Sequence, residues 1–261
     1  MDSIKPKKFL GQHFLTDLSV AQRIANTVDA YPDIPILEVG PGMGVLTQYI
    51  IPKQRPFKVV EIDFDSVPYL HEHFPELGDN IIEGDFLKMD LQEVFDGKPF
   101  VLTGNYPYNI SSQIFFKILE DKDRVPEVVC MIQKEVADRI AEKPGSKTYG
   151  ILSVLLQAWY DIEYVLSVGP GAFSPPPKVR SAVIRLTRNS RTELGCDGKL
   201  FKMVVKTAFN QRRKTLRNAL KPLLPAGADA SAFFGDPVFD LRAERLGVED
   251  FIALTRRFEE A

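Results

Sequence analysis

The stretch PILEVGPGMGVL (35–46) runs a short strand-like segment into Gly40, Gly42 and Gly44 and then into an apolar segment with helical spacing. A strand that ends in glycines where a helix begins turns tightly and lets a ligand approach main-chain N–H groups. Taken alone, the loop is compatible with a plain tight turn and with nicotinamide, flavin or S-adenosylmethionine binding. It is not a Walker phosphate loop, because no Gly-Lys-Ser/Thr follows.

The next two strand-like runs narrow the choice. VVEID (59–63) places Glu61 twenty-one residues beyond Gly40, where a carboxylate accepts hydrogen bonds from both ribose hydroxyls of an adenosine. This excludes a 2′-phosphate but does not separate NAD from S-adenosylmethionine. EGDFL (83–87) ends the third run with Asp85, whose carboxylate suits an adenine N6 amino group, with the Phe86 N–H facing a ring nitrogen. Ile62 suits either the adenine face or the core. A glycine loop, a Glu and an Asp on three successive strand ends outline an adenosine-shaped site at the carboxyl edge of an open α/β sheet.

Five apolar runs, 35–40, 58–63, 80–85, 100–105 and 127–133, alternate with amphipathic segments such as SSQIFFKILE. This rhythm implies right-handed crossovers and a mostly parallel sheet covered on both faces. DIEYVLSV (161–168) and VRSAVIRLTR (179–188) follow, joined by GPGAFSPPPK (169–178), which is too short for a crossover helix and so predicts an antiparallel hairpin. The expected fold class is α/β, a seven-stranded Rossmann-like sheet with an antiparallel final strand, as in class I S-adenosylmethionine-dependent methyltransferases. Beyond the polar stretch 190–198 the pattern is helical: LFKMVVKTAFNQ, KTLRNALKPLL, DASAFF, RAERL and VEDFIALTRRFEE. The expected domains are 1–190, binding the cofactor, and 196–261, a small all-helical C-terminal domain for RNA recognition.

The fourth run ends in TGNYPYNIS (103–111), beside the first strand of a doubly wound sheet and so beside the methionine end of a bound S-adenosylmethionine. The pattern Asn105-Tyr106-Pro107-Tyr108 resembles the Asn/Asp-Pro-Pro-Tyr signature of enzymes that methylate exocyclic amines. The adenine N6 lone pair is delocalised and poorly nucleophilic. The Asn105 side-chain oxygen and a carbonyl near Pro107 suit the N6 hydrogens, holding the amine toward the methyl donor by position and electrostatics. Tyr108 offers an extruded base a flat stacking surface worth about 1–3 kcal/mol. No general base is needed before transfer, because the attacking amine is neutral. Tyr106 has no evident task.

The 261 residues, 44% hydrophobic and 26% charged, support a sizeable core and argue against wholesale disorder. The net charge of −2 argues against a polyanion-binding protein only when read globally. From Lys199 to Lys221 there are eight Lys or Arg and no Asp or Glu, a segregation that points to nucleic acid. Cys130 and Cys196 lack metal-ligand spacing, and His71 and His73 read as surface residues, so no metal is expected. The start MDSIKPKKFLGQHFL lacks a signal-peptide core and no run is long enough to span a membrane. A soluble, cytoplasmic protein with no membrane partner, acting as a monomer, is expected.

The motifs together resemble one family, the small-subunit ribosomal RNA adenine N6,N6-dimethyltransferases (the KsgA/RsmA family), over nearly the whole chain. KKFLGQHFL, LEVGPGMGVLT, VEID, EGDF, GNYPYNIS, FSPPPKVRSAVIRL (173–186) and FNQRRKTLRNAL (209–220) occur in the family's order. The resemblance implies that the N-terminal segment folds over the cofactor, a role falling on Gln12, His13 and Leu15. It implies S-adenosylmethionine as methyl donor, S-adenosylhomocysteine as product, and two adjacent adenines in a hairpin loop near the 3′ end of 16S rRNA as target, with a role in small-subunit biogenesis. Lys178, Arg180, Arg212, Arg213, Lys214 and Arg217 are the expected phosphate contacts. Phe173 borders either the target base or the core. Tyr106 stands where the family more often has Leu or Ile, and His13 where many relatives have Asn. Two alternatives share the fold: a large-subunit rRNA adenine methyltransferase of the antibiotic-resistance type, and a catalytically idle RNA-binding assembly factor. A dinucleotide oxidoreductase ranks third, since no residue supplies hydride-transfer chemistry.

Overall fold

Ile36–Val39 is buried along its whole length, as a strand flanked on both sides and covered on both faces must be. The computed structural model describes Ile4 and residues 6–261. Residues 1–3 and 5, part of the start read above as lacking an export signal, lie outside the described residues. The chain divides into two compact units, Met1–Ala137 with Asp161–Arg188, and Asp138–Tyr160 with Asn189–Ala261. In chain order the elements are β1 (Phe14–Leu15), α1 (Leu18–Thr27), β2 (Ile36–Val39), α2 (Thr47–Ile50), β3 (Phe57–Glu61), α3 (Ser66–His73), β4 (Ile81–Glu83) and α4 (Leu91–Val94). They continue with β5 (Val101–Asn105), α5 (Ser111–Glu120), β6 (Glu127–Gln133), α6 (Lys134–Ala141), α7 (Ile151–Gln157), β7 (Tyr160–Val168), β8 (Phe173–Ser174) and β9 (Ser181–Arg188). The last helices are α8 (Gly198–Asn210), α9 (Leu216–Ala219), α10 (Ala230–Phe233) and α11 (Val248–Glu259).

In the first unit the sheet order is β4-β3-β2-β5-β6-β9-β7. Strand β2 pairs parallel with β3 on one side (Ile36↔Phe57) and with β5 on the other (Ile36↔Val101). The chain therefore winds outward through β3 and β4, then returns to β2's other edge. That reversal makes the β2/β5 boundary the switch point, where open α/β sheets bind ligands beyond the strands' carboxyl ends. Strand β9 runs antiparallel to β6, from Glu127↔Thr187 to Gln133↔Ser181. The seven-stranded sheet and its antiparallel final strand are those expected.

The apolar faces explain the packing. Helix α1 starts where Asp17 accepts from the Ser19 and Val20 N–H groups at 2.9 and 3.3 Å. It then buries Val20, Ala21, Ile24 and Ala25, a single stripe at helical spacing. Phe173 joins the same core, so of its two readings the structure selects the core. Its strand β8 pairs antiparallel with β1, Leu15 opposite Phe173, which stitches the N-terminal segment onto the loop after β7.

In the second unit α7 packs against α8 and α11, and Tyr149, Phe209 and Phe251 interlock with ring centroids 5.9 and 5.8 Å apart. Residues 138–160, expected within the 1–190 domain, group with the C-terminal helices. The reason is visible in ILSVLLQ, which buries Leu152 to Leu156 without interruption. Such a helix has no amphipathic stripe to announce which core it joins. FNQRRKTLRNAL is likewise not one helix. Helix α8 ends at Asn210, the Lys214 N–H turns back to the Gln211 carbonyl at 2.8 Å, and α9 begins at Leu216.

Candidate active site

Apart from Gly44, and from Phe173 of the core, every residue expected at the cofactor or the base lines one cleft at the carboxyl edge of β2, β3 and β5. Gly44 supports the loop from behind. At its φ of +72° an added Cβ would lie 2.1 Å from the Phe74 ring, so the glycine permits packing rather than ligand contact.

Glu61 ends β3 almost fully buried. Its Oε2 accepts from the Gly42 N–H and its Oε1 from the Asp63 N–H, both at 2.9 Å. Burial pushes its carboxyl above the ordinary range, against these backbone bonds. Each oxygen retains a lone pair beyond the one that fixes it, so the carboxylate is set to bind two donors side by side. Asp85 caps the short turn Phe86–Lys88, with Oδ1 accepting from the Leu87 N–H at 3.0 Å. Ile62 keeps 43% of its surface exposed at the cleft.

Glu38, which the sequence reading passed over, also lines the cleft and is 1% exposed. Burial, with the Glu61 charge nearby, pushes it up to about 8, opposed by the Thr47 hydroxyl that donates to Oε2 at 2.7 Å. The available signal was a charged residue inside an otherwise apolar central strand. Between about pH 4.5 and 8 the folded state therefore binds a proton that the unfolded chain has released, and stability falls as pH rises. Each pK unit is worth about 1.4 kcal/mol. Glu38→Gln should flatten that slope, with the melting temperature of the variant rising relative to the parent at pH 8–9 and not at pH 4. An unchanged slope would place the titration elsewhere.

At the end of β5 the Asn105 Nδ2 donates to the His13 carbonyl at 2.9 Å. That bond uses one of the two amide N–H groups and fixes the side chain's orientation, with Oδ1 left as an acceptor for a ligand. Tyr108 stacks on the His13 ring at 5.3 Å and 29°, while its hydroxyl meets Ser181 Oγ at 2.5 Å. One ring face and the hydroxyl are thus taken, leaving the other face to offer. His13 Nδ1 contacts the Pro175 carbonyl at 2.9 Å. Tyr106 is 1% exposed and meets Phe115 edge-on at 6.2 Å, which makes it a core wedge beneath the loop. Gln12 lies along the cleft, but its Nε2 donates to Asp63 Oδ2 at 2.6 Å and its Oε1 accepts from the Lys7 N–H at 2.7 Å.

The basic residues divide. Arg213 and Lys214 are exposed in the turn after α8. Arg212 instead spans the second unit, reaching Glu244 at 3.3 Å and the Ser146 carbonyl at 3.2 Å. Arg217 pairs with Asp240 at 2.6 Å. In the first unit Lys178 is exposed, and Arg180 contacts Ser167 Oγ at 3.2 Å. Among the described residues no helix is long and apolar enough to cross a membrane.

Residues 3–246 match the model of the family described as ribosomal RNA adenine dimethylase. The chain belongs to that family. It is 66% identical to the ribosomal RNA small subunit methyltransferase A of Phocaeicola vulgatus, over 100% of this chain and 92% of that one. The dimethyladenosine transferase of Plasmodium falciparum has the same fold, with a TM-score of 0.81 at 22% identity over 95% of this chain and 98% of that chain. The 23S rRNA methyltransferase ErmE follows, at 0.66 and 26% identity over 94% and 99%. The family is one of S-adenosylmethionine-dependent methyltransferases, and the cleft fits that cofactor. The buried Glu61 has two lone pairs to offer a ribose. At Gly40 an added Cβ would meet nothing within 4 Å, so the backbone lies open to a passing ligand. Ile62 presents apolar surface to a flat ring.

Proposed function

We propose that the protein acts in the cytoplasm, as a monomer, on the immature small ribosomal subunit, dimethylating N6 of two adjacent adenines in a hairpin loop near the 3′ end of 16S rRNA. The observation that carries the reading is the Asn105 amide, whose nitrogen is held by the His13 carbonyl. That bond fixes the amide's orientation with its oxygen left to accept, and an acceptor is what an N6 amino group needs.

When bound, S-adenosylmethionine supplies an electrophilic methyl group on a sulfonium sulfur. Glu61 would hold the ribose, Asp85 and Ile62 the adenine, and the Gly40–Gly42 backbone the remainder. Asn105 Oδ1 and the Pro107 region accept from N6, turning its lone pair toward the methyl group. Tyr108, braced by His13 and Ser181, stacks on the flipped base with its open face. After transfer the ammonium proton leaves to solvent, so no residue needs to act as a base beforehand. Of the two readings on the same fold, a large-subunit target is disfavoured by the 66% identity to a protein named for the small subunit. An idle assembly factor is disfavoured by the intact Glu61, Asp85 and Asn105. Offering purified small and large subunits separately with labelled cofactor tests the proposal: label should enter the small subunit alone.

RNA contact is assigned to the helical 196–261 domain, through Arg213 and Lys214, and to Lys178 and Arg180 of the first unit. Arg213→Ala with Lys214→Ala should weaken small-subunit binding and lower the salt slope by about 2. Arg212→Ala should instead lower thermal stability, because it breaks the bonds to Glu244 and Ser146. Filter binding across a salt series, with a melting curve for each variant, separates the two roles.

A further inference from the structure

We propose that Asp63 is a positioning residue that fastens the segment Lys7–Gln12 across the cofactor cleft without touching the cofactor itself. The inference rests on the methyltransferase reading of that cleft. Leu10 to Leu15 line the cleft, whereas Asp63 and Lys7 do not. The segment's far end is held independently of Asp63. Phe14 and Leu15 pair with β8, the Thr16 N–H donates to the Ala172 carbonyl at 2.8 Å, and His13 receives the Asn105 amide.

Its near end converges on one side chain. Asp63 is 1% exposed. Its Oδ2 accepts from Gln12 Nε2 at 2.6 Å, and its Oδ1 accepts from Lys7 Nζ at 2.5 Å and from the Asp65 N–H at 3.0 Å. Lys7 also pairs with Asp65 at 2.7 Å. Burial alone would raise the Asp63 carboxyl, but the bonds from Lys7 and Gln12 hold it below its ordinary value. A buried carboxylate with three donors is a strong tie, because charge-assisted bonds out of water are stronger than neutral ones. The same turn thus does two things two residues apart. Glu61 faces the ligand, and Asp63, whose N–H fixes Glu61 Oε1, holds the strap that closes over it. Cofactor residence should therefore depend on a residue outside the cleft.

The test is S-adenosylhomocysteine binding by calorimetry, together with amide hydrogen exchange, on the full chain. Asp63→Ala should lower affinity about tenfold and speed exchange at Phe9–Gln12, while Leu15 and Thr16 stay as protected as in the parent. Lys7→Ala, which keeps the Asp63 bonds from Gln12 and the Asp65 N–H, should show a smaller effect of the same kind. In the Asp63→Ala background, Gln12→Ala should add little. Parent-like affinity and exchange in both Asp63→Ala and Lys7→Ala would overturn the proposal, as would faster exchange spread evenly to Thr16. If the parent chain itself fails to bind S-adenosylhomocysteine, the cofactor reading of the cleft fails. The loss of exchange protection at Phe9–Gln12 in ligand-free Asp63→Ala still decides whether Asp63 is the anchor.

Discussion

Asn105→Ala should lower the single-turnover rate of methyl transfer by about 10²–10³-fold while leaving S-adenosylhomocysteine and small-subunit affinities within a few-fold of the parent. In the proposed mechanism the side chain works through an oxygen placed where positive charge develops on N6. Its neighbours pre-set it before substrate arrives: the strand end pairs with Met131, and the amide nitrogen is bonded to the His13 carbonyl. Truncation removes an interaction that strengthens as the amine becomes an ammonium, so the loss falls on the chemical step rather than on binding. Asn105→Asp separates the two halves of the amide. It keeps an acceptor but loses the donor to His13, and its rate should lie between those of the parent and the alanine variant. Rapid-quench measurement with saturating subunit and cofactor reads the step directly. An alanine variant with parent turnover would remove Asn105 from the mechanism.

Glu61→Ala should weaken S-adenosylhomocysteine binding by about 10²-fold, given about 1.5–3 kcal/mol per hydrogen bond to a charged group. Small-subunit affinity should hardly change, since the carboxylate lines the cofactor cleft and is not one of the residues assigned to RNA contact. The alanine also orphans the Gly42 and Asp63 N–H groups, both held by this carboxylate at 2.9 Å. Glu61→Gln is the cleaner comparison, because it keeps an acceptor, and about a tenfold loss is expected. Calorimetry for the cofactor product and filter binding for the subunit give the two affinities. Equal losses in both would mean that Glu61 supports the fold generally and does not hold the ribose.

Much of the site was legible because each parallel strand announces its own end. An apolar run stops, and Gly40, Glu61, Asp85 or Asn105, at or just past its end, line the cleft at one edge. Periodicity and strand order suffice to bring these together, since parallel strands align their carboxyl ends by construction. What stayed hidden depends on pairing across long stretches of chain. Lys7 and Gln12 meet Asp63 from 56 and 51 residues away, and nothing local marks the Asp of VEID as an anchor rather than a ligand contact. Arg212 reads as one more cation in a basic run, yet its partners Ser146 and Glu244 lie on other segments. Gly44 completes the glycine motif in sequence and faces Phe74 in space. Tyr106, the ring without an evident task, fills the space beneath the loop that Asn105 and Tyr108 need to be rigid.

The most direct test of the central claim is mass spectrometry of the adenines in small subunits purified without their 3′-terminal methylation, after incubation with the protein and labelled S-adenosylmethionine. The account predicts two adjacent N6,N6-dimethyladenines in one hairpin loop near the 3′ end of the rRNA, and none when Asn105→Ala replaces the parent over the same interval. Methyl groups found only at other nucleotides of the small-subunit rRNA, or no label with protein that binds S-adenosylhomocysteine normally, would contradict it.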